Sequence, residues 1–174
     1  YENNHRGINL YIISKMLNDI GKQLNYLDNH RKNLLYLETS NIMVILYNED
    51  YRETPYVSMK FIYASTEALV NVDIYDNVVV NIPYLKTQYI SPELHGLYSL
   101  PGYIHKSCSY YSIVLIAIIL LTNHNLLNKD NVFKKPLSKS SILERIQEYN
   151  GTKIYNLIKR VVQDTPSDRA FLFI

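Results

Sequence analysis

The chain has 174 residues, 47% of them hydrophobic and 20% charged, which suffices for one domain closed over a sizeable core. Its 18 basic and 16 acidic side chains nearly cancel to a net charge of +2, so neither a nucleic acid nor a membrane is expected as a partner. The single cysteine, Cys108, excludes an internal disulfide and any multi-cysteine metal site, and fits an intracellular, cytoplasmic setting. Residues 1–7 are polar, with neither an initiating Met nor a secretory signal. A piece of a longer protein is therefore expected.

Ile8, Ile12, Met16, Ile20, Leu24 and Leu27 recur at three- and four-residue spacing and predict an amphipathic helix. Turn formers and charges over residues 28–33 end it. Residues 34–37 and 42–47 read as strands separated by a polar loop, and residues 57–62 as a third strand after a hairpin connection over 48–55. The β-branched residues on both sides of Asp76-Asn77, within 70–85, predict a two-stranded ribbon. Pro83, Pro92 and Pro101 then space an irregular segment.

Residues 113–121 contain no polar side chain, so a helix there is apolar on every face and must be enclosed. The run is shorter than the roughly 20 residues a bilayer needs, and His105, Lys106 and His124 flank it. A central buried helix over about 106–122 is the expectation, with a buried strand as the other reading. Residues 123–136 read as loop with a turn or two of helix. Ile142, Leu143, Ile146 and Tyr149 mark a helix with Ser138, Ser140 and Ser141 as cap candidates, ended by Gly151. Ile154, Leu157, Ile158, Val161 and Val162 mark another, stopped by Thr165-Pro166. This order predicts an α+β, mostly helical fold in a single domain, 1–174.

Several motifs along this order resemble one family. Tyr89-Ile90-Ser91-Pro92-Glu93-Leu94 resembles the Ala-Pro-Glu end of a protein-kinase activation segment. Lys106-Ser107-Cys108-Ser109-Tyr110-Tyr111-Ser112 follows where kinases open their buried central helix with Lys-Ser-Asp-Val-Tyr-Ser. Asp164-Thr165-Pro166-Ser167-Asp168-Arg169 resembles the late Asp-Pro-Ser-Asp-Arg signature. Asn25-Tyr26-Leu27-Asp28 and residues 34–43 are similar to the stretch around the catalytic loop. The likeness runs from about residue 8 to 169 and covers only the larger, C-terminal lobe, without the small N-lobe. It implies a pairing of Glu93 with Arg169 that ties the activation-segment remnant (Ser91, Pro92, Glu93) to the late helices.

The same likeness implies that most of the chemistry is gone. Phosphoryl transfer needs a metal-bound nucleotide and a group orienting the acceptor hydroxyl. The family's His-Arg-Asp corresponds to Tyr36-Leu37-Glu38, which leaves a carboxylate on a longer side chain at Glu38. Asn41 stands either for the metal-binding Asn or for an ordinary turn Asn. Asp-Phe-Gly corresponds to Tyr63-Ala64-Ser65, with no acid to hold Mg²⁺, and Glu67 substitutes only if the backbone is rearranged. The Asp that opens the central helix and fixes the catalytic loop corresponds to Cys108, a poor acceptor. That acceptor is expected to be dispensable once the loop has lost its catalytic geometry. With Leu37 in place of the loop Arg, control by phosphorylation at Thr87, beside Lys86, is not expected.

His30-Arg31-Lys32 and Lys134-Lys135 read as solvated turns, and the histidines at 5, 30, 95, 105 and 124 lack metal-ligand spacing. The expectation is a pseudokinase-type C-lobe with no catalytic residue, no metal and no cofactor. It would act as a scaffold or allosteric module on protein partners and on its own N-lobe in the parent chain. The alternative is a divergent active Ser/Thr-type protein kinase with Glu38 in the base position, which would require ATP and Mg²⁺.

Overall fold

The computed structural model describes residues 2–49, 56–81, 88–122 and 137–171. The side chains of residues 2–9, 48, 49, 56 and 57 are outside that description. Part of the expected hairpin connection, the loop at 123–136, and Pro83, Lys86, Thr87, His124, Lys134 and Lys135 fall outside the described residues.

The first helix, α1 (Glu2–Asn29), is longer than the stripe predicted. Met16, Ile20 and Leu24 of that stripe are buried, joined by Ile13 and Leu17. Strand β1 (Lys32–Leu34) follows after Arg31, whose positive φ makes the turn. The expected strand at 34–37 is therefore shifted toward the N-terminus, and residues 35–38 run as irregular chain into a 3₁₀ turn, Thr39–Asn41. Strands β2 (Ile42–Glu49) and β3 (Tyr56–Tyr63) form an antiparallel pair in which Ile42 faces Tyr63 and Glu49 faces Tyr56.

The ribbon expected at 70–85 is corrected. The chain does reverse at Asp73–Asn77, where the Asp73 carboxylate accepts from the amides of Tyr75 and Asn77, both at 2.8 Å. Among the described residues a single bridge, Val72 to Val78, joins its two arms. Strand β4 (Leu69–Asn71) pairs with β1, and β5 (Asn77–Val80) pairs with β6 (Gly102–His105), a strand in the segment read as irregular. Burial explains the choice: Val78 and Val80 are fully enclosed on one face of β5, and Ile104 joins them from β6. Two arms pairing only with each other would bury less apolar surface. Among the described residues there are thus three two-stranded antiparallel sheets. Helices and small sheets together make a mixed α and β architecture.

Helix α2 (Pro92–His95) is a single turn, and α3 (Cys108–Thr122) is the helix the others surround. It begins two residues later than expected, after Ser107. Six consecutive residues, 113–118, are each at most 5% exposed. The α-helix observed over Cys108–Thr122 settles the helix-or-strand ambiguity in favour of helix. No helix among the described residues is long and apolar enough to cross a membrane. Helix α4 (Lys139–Arg145) is capped by Ser138, whose hydroxyl accepts from the Ser141 amide. It stops short of Ile146, and residues 147–149 form a 3₁₀ turn. Helix α5 (Lys153–Val161) is capped by Thr152. Ile154, Leu157, Ile158 and Val161 of α5, with Val162 just beyond it, are all buried.

Gly21 in α1 has a packing reason. A Cβ there would collide with the ring of Phe171, which also stacks on Tyr110 at 5.4 Å between centroids.

Candidate functional site

The residues singled out in the sequence sit where the loop after β1 meets α3. Leu35 donates its amide to the Ala68 carbonyl at 2.9 Å, and Leu37 is fully buried. The Leu37 amide donates to Ser112 Oγ at 2.7 Å, and that hydroxyl reaches the Leu37 carbonyl at 3.3 Å. A buried backbone unit is thus satisfied at both ends by one side chain. The acceptor that anchors this loop is Ser112, one helical turn beyond Cys108. The sequence carried a signal, because Ser112 is the last polar residue before an otherwise unbroken apolar run.

Cys108 itself is fully buried, and its Sγ lies 3.7 Å from Asn33 Oδ1 and 3.8 Å from the Leu34 carbonyl. The Lys106 carbonyl is 3.7 Å away. All three partners are oxygens that accept, so the thiol is the donor among them. Burial, then the Glu93 carboxylate, pushes its pKa well above the ordinary thiol value. The thiol is held protonated and inert.

Tyr36, Glu38, Asn41, Tyr63 and Glu67 form one corner. The pKa values of Tyr36 and Tyr63 are raised, first by burial, and both feel the carboxylates of Glu38 and Glu67. Hydrogen bonding from the Asn41 side chain and the Glu38 backbone acts on Tyr63 in the opposite sense. The Asn41 amide donates to the Glu38 carbonyl at 3.1 Å, and the Asn41 carbonyl accepts from Ala64 at 2.9 Å. Asn41 thus closes the turn and ties it to the end of β3. Glu38 Oε1 is enclosed without a hydrogen-bond partner among the described residues, while Glu67 is exposed.

Among the described residues no group of three or more His, Cys, Asp or Glu side chains is placed to hold a metal ion.

Glu93 and Arg169 meet in a two-pronged pair. Nη1 donates to Oε1 at 2.5 Å and Nη2 to Oε2 at 2.9 Å. The Arg169 side chain is fully enclosed and that of Glu93 17% exposed. Arg169 Nε also donates to the Gln163 carbonyl at 3.0 Å, and its guanidinium lies 4.7 Å over the Tyr111 ring. Burial raises the Tyr111 hydroxyl to about 12 against the pull of Arg169. Pro92 opens α2, and Ser91 precedes it, buried and with no partner for its hydroxyl among the described residues. Ser107 Oγ donates to the Pro166 carbonyl at 2.8 Å, a second tie to the Arg169 segment. Lys106 bridges Asp28 at 3.1 Å and Asp76 at 3.2 Å.

The basic cluster at residues 30–32 is engaged locally. Arg31 Nη1 donates to the Asp73 carbonyl at 2.6 Å and Lys32 Nζ to Asn71 Oδ1 at 2.5 Å.

Two residues of α1 were read only as its polar face. Asp19 is 8% exposed and accepts from the Phe61 amide at 3.1 Å. Gln23 accepts from the Tyr63 amide and donates to the Phe61 carbonyl, both at 3.1 Å. Together they close the edge of β3 that faces α1. Helical periodicity marks a polar face but does not say which strand edge it will meet.

No model of a known protein family matches this chain, and no curated protein matches it significantly. Function has to be argued from the residues.

Proposed function

We propose that the chain is a catalytically inactive, protein-kinase-like (pseudokinase) module that serves as a scaffold or allosteric interaction domain for protein partners and for its own N-lobe. The observation that carries this is the corner at Tyr63. Where phosphoryl transfer requires a metal-binding acid, a tyrosine stands, at the end of β3 that the Asn41 carbonyl ties down through the Ala64 amide. The architectural ties support the same reading: the Glu93–Arg169 pair stands where the likeness implies it, and the Ser112–Leu37 anchor holds the loop although the acid is absent.

One observation favours a second reading, a divergent active Ser/Thr-type protein kinase with Glu38 in the base position. Glu38 and Glu67 act on the same two tyrosines, and one Glu38 oxygen is enclosed without a partner. The test uses the parent protein, including the residues upstream of this chain, with Mg-ATP. A nucleotide site filled at about 100 times its Kd stabilises the fold by about 2.7 kcal/mol. The scaffold reading expects no such thermal shift and no phosphate transfer to a protein hydroxyl. Transfer that is lost in Glu38→Gln would establish the enzyme instead.

A further inference from the structure

Between α1, β3 and the turn into β4 lies a cavity of about 640 Å³, within the usual range for small-molecule sites. Ile20, Leu24, Leu34 and Leu69 give it an aliphatic lining. Lys22 of α1 and Lys60 of β3 also line it, and both are exposed, which places them at the rim. Neither lysine has a hydrogen-bond or ion-pair partner among the described residues.

Two of the polar side chains that line it are already engaged. Gln23 Nε2 donates to the Asp19 and Phe61 carbonyls, and Gln23 Oε1 accepts from the Tyr63 amide. The Asp19 carboxylate accepts from Lys15 and from the Phe61 amide. A polypeptide entering the cavity would bring backbone N–H and C=O groups that the aliphatic wall and these engaged side chains leave unpaired, at a cost for each. A saturated chain has no such requirement. Two unpaired ammonium groups at the mouth select a negative end, and a carboxylate can take a charge-assisted hydrogen bond from each.

We propose that this cavity binds a long-chain carboxylate, its aliphatic tail against Leu24, Leu34 and Leu69 and its head between Lys22 and Lys60. The proposal does not rest on the scaffold reading, and either stands if the other fails.

The experiment titrates dodecanoate, kept below its micelle concentration, into the whole chain and follows backbone amide shifts by NMR. Dodecyltrimethylammonium supplies the same tail with the opposite head. Saturable one-to-one binding of dodecanoate is expected, with shifts at Ile20, Leu24 and Leu69. The Lys22→Glu/Lys60→Glu double variant should bind at least tenfold more weakly while its ligand-free melting temperature stays that of the parent. Equal binding of both amphiphiles, or shifts centred on the exposed apolar residues 43–47 of β2, would overturn the proposal in favour of adsorption to a greasy surface. Absence of saturable dodecanoate binding would overturn it outright. If the peptide acetyl-Leu-Glu-Leu-Leu-Glu-Leu-amide then saturated the same residues, the cavity would be a polypeptide site.

Discussion

Ser112 Oγ stands 2.7 Å from the amide of Leu37, a residue 75 positions earlier in the chain, and the same oxygen reaches the Leu37 carbonyl. The loop that carries Glu38 and Asn41 is therefore pinned to the central helix through one hydroxyl. Ser112→Ala leaves the Leu37 amide buried and unpaired, which costs about 1–3 kcal/mol. Urea denaturation should report that loss, with the slope unchanged. Amide exchange at Leu37 and Glu38 should accelerate by more than exchange within α3. A variant as stable as the parent would remove the anchoring role.

The Glu93–Arg169 pair calls for a comparison of single and double variants. Arg169 is fully enclosed, so Glu93→Gln strands its charge. Breaking a buried pair costs about 3–5 kcal/mol, whereas replacing both partners by apolar groups of similar size is often close to neutral. Glu93→Leu/Arg169→Met should therefore be more stable than either single change. Thermal melts of the four proteins form the cycle that checks it. Additive losses would mean that the two side chains act independently of each other.

The pairing of Glu93 with Arg169 was expected from the flanking motifs, and the enclosure of residues 113–121 from their composition; residues 113–118 are enclosed, whereas Leu120 is 47% exposed. Both rest on local patterns that leave little freedom: a run with no polar face has to be covered. The partners of β4 and β5 were not legible, because β-branched strands on either side of a turn suit a hairpin as well as two separate ladders. What decided was the burial of Val78 and Val80, a property of the assembled core. Ser112 was visible as a polar residue but not as an anchor, since its partner is remote in sequence. The contacts of Asp19 and Gln23 with β3 share that limitation.

His105 gives the fold a pH response of known sign. Burial lowers its pKa from the ordinary 6.5; Lys106 and Arg169 act in the same direction, while Asp76 and Glu93 oppose. Its Nδ1 accepts from the Ser107 amide at 3.2 Å, which requires that nitrogen unprotonated. The folded state binds this proton less readily than the unfolded chain. The stabilisation is therefore complete above the unfolded value near 6.5 and is lost as pH falls from there toward the lower folded value. Melting temperatures of the parent and of His105→Asn, measured from about pH 7.5 down to 5, should differ most at the upper end and converge as pH falls. A constant difference would remove His105 as the source.

Cys108 allows a direct test of what its position requires. The proposed kinase-like reading would put an aspartate here that accepts hydrogen bonds from the loop, yet the sulfur is surrounded by the Leu34 and Lys106 carbonyls and by Asn33 Oδ1. Oxygens at those points suit a donor. A carboxylate among them would be buried, unpaired and repelled by three acceptors, and such a charge is among the costliest changes a core can take. Cys108→Asp should therefore destabilise by several kcal/mol. Cys108→Ser, which keeps a donor of smaller size, should cost less, about 1–3 kcal/mol. In the folded parent the thiol should resist alkylation by iodoacetamide and react fully only in denaturant, as its burial and raised pKa dictate. Should Cys108→Asp instead raise the melting temperature, the loop would have moved to present amides at this point, and the arrangement around Leu34 would have to be redrawn.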